Sequence, residues 1–149
     1  MTFGSASWKV LHINSERTND ANDSSIVIEL TYNTTKYLFM GDASTDVEKS
    51  RTWNDIDVLK VAHHGSDSST SQDFLKQIKP EYAIISVGRN DYGHPTDTVL
   101  KNLENIELYR TDKNGTIWIV TDGKKINITE LDYNLDGNGR KISYLSEGL

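Results

Sequence analysis

The chain has no cysteine, which excludes disulfides, thiolate zinc sites and cysteine nucleophiles, so any metal must be held by His, Asp or Glu. The same absence leaves the redox compartment open. Basic runs are missing too: no five consecutive Lys or Arg residues occur, and the net charge is −6. That argues against a broad phosphate-gripping face of the kind a duplex-DNA binder carries, while leaving room for a local basic site. No apolar run approaches the roughly 18 residues of a membrane span. The opening MTFGSASWKV lacks the basic-then-apolar order of a signal peptide, so a soluble chain with no membrane segment is expected. What is present is the material for one ordinary domain, with 149 residues of which 36% are hydrophobic, enough to bury a core.

Apolar patterning predicts a mixed α/β chain. Trp8 to Ile13 alternates loosely as a first strand, and the polar loop NSERTNDANDS follows. SIVIELTY (Ser25 to Tyr32) and KYLFM (Lys36 to Met40) flank Asn33-Thr34-Thr35 as a hairpin. A short helix is predicted over Thr45 to Arg51, a strand over Ile56 to Ala62, and a helix over QDFLKQI with a hydroxyl N-cap before it and Pro80 closing it. YAIISV (Tyr82 to Val87) reads as a strand covered on both faces. Pro95 suits the first turn of a helix from Thr96 to Asn105. Ile106 to Tyr109 is a short strand, and TIWIV and KINITE form a second hairpin around Asp122-Gly123. Residues 1–131 are expected to form the domain, and 132–149 a polar tail that is loosely ordered or docked at an edge.

Two of the four histidines stand side by side in VAHHGS, where a strand runs out. Neighbouring strand side chains point to opposite faces, so His63 and His64 share a pocket only if the strand ends there, an ending that Gly65 permits. Gly41-Asp42, His63-His64 and the segment Gly88 to His94 each follow the C-terminal end of a predicted strand, where open α/β sheets place their ligand crevice. A carboxylate and imidazoles gathered at such ends suit a divalent metal, and a carboxylate can bridge two of them. Gly-Asp is also ordinary turn chemistry, and a histidine pair can simply terminate a strand. Spacing alone leaves both readings open. The hydroxyls of Ser66 to Ser71 are likewise open between phosphate contact and helix capping.

The succession NDSSIVIELTYNTTKYLFMGDA, DVLKVAHHGSDSSTSQDFL, PEYAIISVGRNDYGHPTDTVLKNL and YRTDKNGTIWIVTDG, covering about Asn22 to Gly123, resembles the C-terminal half of the metallo-β-lactamase-fold domain of bacterial competence proteins of the ComEC/Rec2 type. The resemblance implies half of a four-layered αββα sandwich. It implies part of a metal-dependent hydrolase, a phosphodiesterase or nuclease linked to DNA uptake, with zinc or manganese in a two-metal site. Carried over by motif, Asp42 matches the metal-bridging aspartate and His64 the last metal ligand of that half. His63 is then the neighbour that contacts substrate or steadies transition-state charge, although the two histidines could exchange roles. His94 of YGHP matches a loop at the rim of the site and is a second substrate-contact candidate.

The family's His-x-His-x-Asp-His motif is absent from the chain. His12, the only histidine before Asp42, lacks the required neighbours and reads as structural. Half a metal site implies an inactive, weakly metal-binding chain that needs a partner: the missing N-terminal half-domain or a second copy in a homodimer. Its substrate in the complete protein would be a phosphodiester or nucleic acid, and the chain could be the soluble domain of a membrane-associated protein. The alternative is a non-catalytic binding or assembly module that uses the half-fold for its surface.

Overall fold

A computed structural model describes residues 2–14, 20–131, 133–135 and 141–143. Its main element is a seven-stranded sheet with strands in sequential order: β1 (Thr2–Phe3), β2 (Ala6–His12), β3 (Val27–Tyr32), β4 (Thr35–Phe39), β5 (Val58–Lys60), β6 (Tyr82–Ile85) and β7 (Glu107–Arg110). The first four strands are antiparallel neighbours, and from β4 onward the pairing is parallel. Parallel neighbours need crossovers, and these carry α1 (Thr45–Lys49), α2 (Gln72–Ile78) and α3 (Asp97–Asn102). A last helical turn, α4 (Thr111–Asn114), leads to an antiparallel hairpin of β8 (Thr116–Thr121) and β9 (Ile126–Leu131), and then to a small pair, β10 (Tyr133–Leu135) and β11 (Lys141–Ser143).

Each of the three crossover helices starts where a hydroxyl satisfies an orphan N–H. The side chains of Ser44, Ser71 and Thr96 accept from the backbone N–H of Asp46, Phe74 and Val99 respectively, as N-caps do. The helices are short, so packing holds them. They bury Val47, Phe74, Leu75, Ile78 and Val99 against Leu38, Leu59, Val61, Ala83 and Ile85 on one sheet face. Register makes this one layer, since Leu38, Leu59 and Ala83 sit abreast on β4, β5 and β6.

Within that layer lies a carboxylate. Glu48 on α1 is buried and accepts from the backbone N–H of Thr70 and, at 3.0 Å, of Ser71. It thereby ties α1 to the segment that follows the histidine pair. Burial pushes its carboxyl above the ordinary value, with the hydrogen bonds to Ser71 and Thr70 pulling the other way.

The opposite face carries the alternate residues, with Phe39, Lys60, Ile84 and Tyr109 abreast. The β8–β9 hairpin covers part of it, laying Ile117, Ile119, Ile126 and Ile128 on Tyr37, Val58 and Ile84. Its turn is anchored on the β3–β4 turn: Thr34 donates from both its backbone N–H (3.0 Å) and its hydroxyl (2.7 Å) to the Gly123 carbonyl. Gly123 is required there. Its φ is +87°, and a Cβ would lie 2.4 Å from Asn33 Nδ2. Trp8 and Phe39, beyond the hairpin, stack at 6.2 Å and remain exposed, as does Val10.

The structure corrects the sequence expectations mainly at boundaries. The strand expected to reach Ala62 ends at Lys60, because the chain turns into a left-handed conformation at His63. Pro95 precedes the N-cap Thr96 instead of occupying the first helical turn, and its peptide bond with His94 is cis. The β1–β2 and β10–β11 pairings have no counterpart among the predicted elements. Apart from the short pair β10–β11, the expected tail 132–149 lies outside the described residues. No helix among the described residues is long and apolar enough to cross a membrane.

Candidate functional site

The C-terminal ends of β4, β5 and β6 lie side by side, and each is followed by one of the polar segments singled out in the sequence. The His63 backbone N–H donates to the Gly41 carbonyl at 3.0 Å, which fixes the turn holding Asp42 against the turn holding the histidine pair. The Asp42 N–H in turn donates to Ser25 Oγ at 3.0 Å.

Three consecutive residues, His63, His64 and Gly65, have φ of 45°, 53° and 86°. For the two histidines this region is sterically disfavoured, and such conformations persist only where the surroundings hold them. Here the hold is close packing. A Cβ on Gly65 would sit 2.5 Å from Pro95 Cβ, and the Gly65 carbonyl accepts from the Thr96 N–H at 3.0 Å. The loop after β6 is thereby pressed onto the histidine turn. The His63 ring lies 6.5 Å from that of His64 and 5.4 Å from that of His94.

His64 Nδ1 is 2.6 Å from the Ser86 carbonyl. A carbonyl only accepts, so Nδ1 carries the proton of this bond, and in the neutral ring Nε2 presents its lone pair outward. Metal-binding histidines characteristically have such a carbonyl partner. His63 Nδ1 is 3.5 Å from Ser68 Oγ, the outer limit of a hydrogen bond. Lys60 sits at the end of β5, where its ammonium donates to the Val61 carbonyl at 2.9 Å. Burial lowers its pKa, and the Asp42 charge acts in the opposite direction.

The structure thus brings His63, His64 and His94 into one crevice and joins Asp42 to it through the backbone. Their donor types fit a divalent metal: an imidazole nitrogen with its partner atom oriented, and a half-buried carboxylate. The set is incomplete, since among the described residues no group of three or more His, Asp or Glu side chains is placed to hold a metal ion. His12, at the end of β2, donates from Nε2 to the Asp23 carbonyl at 3.0 Å. Most of the Ser66 to Ser71 hydroxyls are satisfied within the loop itself: Ser66, Ser69 and Thr70 are buried, and Ser71 caps α2.

Sequence reasoning missed Lys60 and Asn90. Lys60 had a signal, a lone charge inside the apolar run VLKVA. Asn90 had a weaker one, as a turn-forming residue four positions before His94. Its side chain accepts from the N–H groups of Tyr92 and His94 at 3.1 Å and donates to the carbonyls of Gly88 (2.9 Å) and His94 (2.8 Å), which shapes the whole loop.

A mixed α/β sheet with helices on one face and polar segments at the ends of parallel strands is consistent with a metallo-β-lactamase fold, and the family comparison agrees. Residues 13–89, just over half of the chain, match the model of the metallo-beta-lactamase superfamily. The chain belongs to that superfamily. It is 41% identical over 103 residues to ComE operon protein 3 of Bacillus subtilis, which covers 64% of this chain and 13% of that protein. It is 38% identical over 112 residues to competence protein ComA of Neisseria gonorrhoeae, covering 69% and 16% respectively. With recombination protein 2 of Haemophilus influenzae it shares 38% identity over 104 residues, 64% of this chain and 13% of that protein. The chain therefore aligns with about a sixth or less of the length of each of these relatives.

Proposed function

We propose that this chain is part of a metal-dependent hydrolase that acts on phosphodiesters in DNA uptake; the superfamily match supports the hydrolase, and the words competence and recombination in the names of two relatives support the link to DNA. The observation that carries this reading is the orientation of His64: its Nδ1 is fixed by the Ser86 carbonyl, and its Nε2 is left for a metal. Asp42 and His64 would hold zinc or manganese, and such an ion, when bound, supplies Lewis-acid stabilisation of a phosphoryl oxygen. His63 and His94, with rings 5.4 Å apart, border the place a phosphodiester would occupy and donate protons or hydrogen bonds to it. Zinc sites in general use three or four protein ligands, so a chain offering two should bind weakly and hydrolyse nothing alone. The remaining ligands and the cover of the exposed strip around Phe39 would come from the other half of the domain or from a second copy of this chain.

Calorimetric titration with zinc and with manganese tests the reading. Weak binding abolished by Asp42→Ala and by His64→Ala is expected. Zinc binding untouched by both substitutions would remove these residues from the site, and tight binding would mean that further ligands lie within this chain. The second reading, a non-catalytic assembly module, is favoured by the lack of a three-ligand cluster among the described residues. It predicts no metal binding at all.

A further inference from the structure

Beside the histidines, and not used by the chemistry above, stands a solvent-exposed aromatic ring. Tyr92 is 84% exposed, the most exposed of the large hydrophobic side chains among the described residues. Exposed loop tyrosines are common, but this one is held in place. Asn90 Oδ1 accepts from the Tyr92 backbone N–H at 3.1 Å, and the same side chain also grips Gly88 and His94. The Tyr92 ring lies 5.9 Å from His94 at 26°, a stacked pair, and His94 in turn meets His63 edge-on at 5.4 Å. The aromatic series therefore runs from solvent into the crevice. A cavity of about 250 Å³ lies beside it, lined by His64, Val87, Arg89, Asn90, Tyr92 and His94.

We propose that Tyr92 is a stacking platform for an unpaired nucleobase, with the exposed Arg89 guanidinium meeting the adjoining phosphate. This rests on the nucleic-acid reading above and narrows it to single strands. A flat ring with one face open accepts any base, because every base has a π-face. In a duplex those faces are occupied by neighbouring base pairs, so the platform selects unpaired nucleotides. An apolar protein partner fits less well, since Asn90, Asp91 and Gly93 around the ring offer no apolar patch, and Asp91 and Gly93 are themselves exposed. With a net charge of −6, the chain cannot rely on general phosphate attraction, so a local contact of this kind is what would draw a strand to the crevice.

Fluorescence anisotropy with the whole 149-residue chain in EDTA tests this without involving the metal. The probes are a labelled oligothymidylate, an abasic oligomer of the same length and a duplex. The oligothymidylate should bind more tightly than the other two, and Tyr92→Ala should weaken it about tenfold, in line with the loss of one stacked base. The same substitution should leave the abasic oligomer unchanged, and Tyr92→Phe should keep the wild-type affinity. Absence of oligothymidylate binding, an unchanged affinity in Tyr92→Ala, or an equal loss with both oligomers overturns the proposal. Tyr92-dependent binding in a chain whose zinc binding ignores Asp42 and His64 would overturn the metal reading alone. Metal binding through Asp42 and His64 without base-dependent affinity would overturn only this one.

Discussion

On one face of the seven-stranded sheet Leu38 and Leu59 are each 1% exposed, whereas on the other Phe39 and Trp8 are 37% and 40% exposed. Leu38 and Phe39 are neighbours in one strand, so hydrophobicity does not separate them. What differs is the cover. Three helices and the loops around them close the first face, while among the described residues the second is covered by the β8–β9 hairpin, whose inward isoleucines pack with Tyr37, Val58 and Ile84. Apolar residues left uncovered together usually mark an interface. The candidate site sits at the sheet edge common to both faces, with its histidine turn supported from the closed side by Glu48 and Thr70.

The largest effect should come from the closed face. Leu59→Ala is expected to cost about 2–5 kcal/mol, the usual loss for a fully buried leucine with partial collapse of the cavity, measured by urea unfolding. A cost below about 1 kcal/mol would mean that the helices do not anchor the sheet. Next is Glu48→Ala, which leaves the backbone N–H groups of Thr70 and Ser71 without their acceptor and should cost about 2–3 kcal/mol.

Glu48 also makes stability depend on pH in a definite direction. Its folded carboxyl value is raised, chiefly by burial, so its contribution is fully present below the ordinary carboxyl range and is lost as pH rises through the folded value. The stability advantage of the native chain over Glu48→Gln should therefore shrink across that window. An advantage that grows with pH would show that the hydrogen bonds outweigh desolvation.

The smallest effect on folding should come from the open face. Phe39→Ser is expected to cost less than about 1 kcal/mol, as for an exposed position, yet to alter association. If a second copy covers the strip, the native chain sediments as a dimer at micromolar concentration and the variant as a monomer. A native monomer that binds no hydrophobic dye would show that the strip needs no cover, and the contrast between the faces would lose its functional meaning.

Much of the fold was legible because its signals are local. Strand alternation, the apolar run YAIISV and the hydroxyl cap before QDFLKQI depend on neighbours within a few residues. The Gly-Asp, His-His and YGHP segments could be placed at strand ends for the same reason. Less legible were the positive φ values of both histidines, the position of Pro95 ahead of its helix, and Asn90 as the organiser of its loop. Each of these depends on contacts made after the chain has folded back on itself.

By itself, the sequence determined the order and kind of most elements between β2 and β9, the absence of thiolate chemistry, and the placement of Asp42 and the histidine pair just after strands. Tertiary structure alone decided that Leu38 lies under helices and Phe39 in the open, and that His94 meets His63. The physical reason is range. Period-two alternation assigns side chains to two faces but cannot say what covers either, and Gly65 and Pro95, 30 positions apart in the chain, define a crevice only once backbone packing brings them into contact.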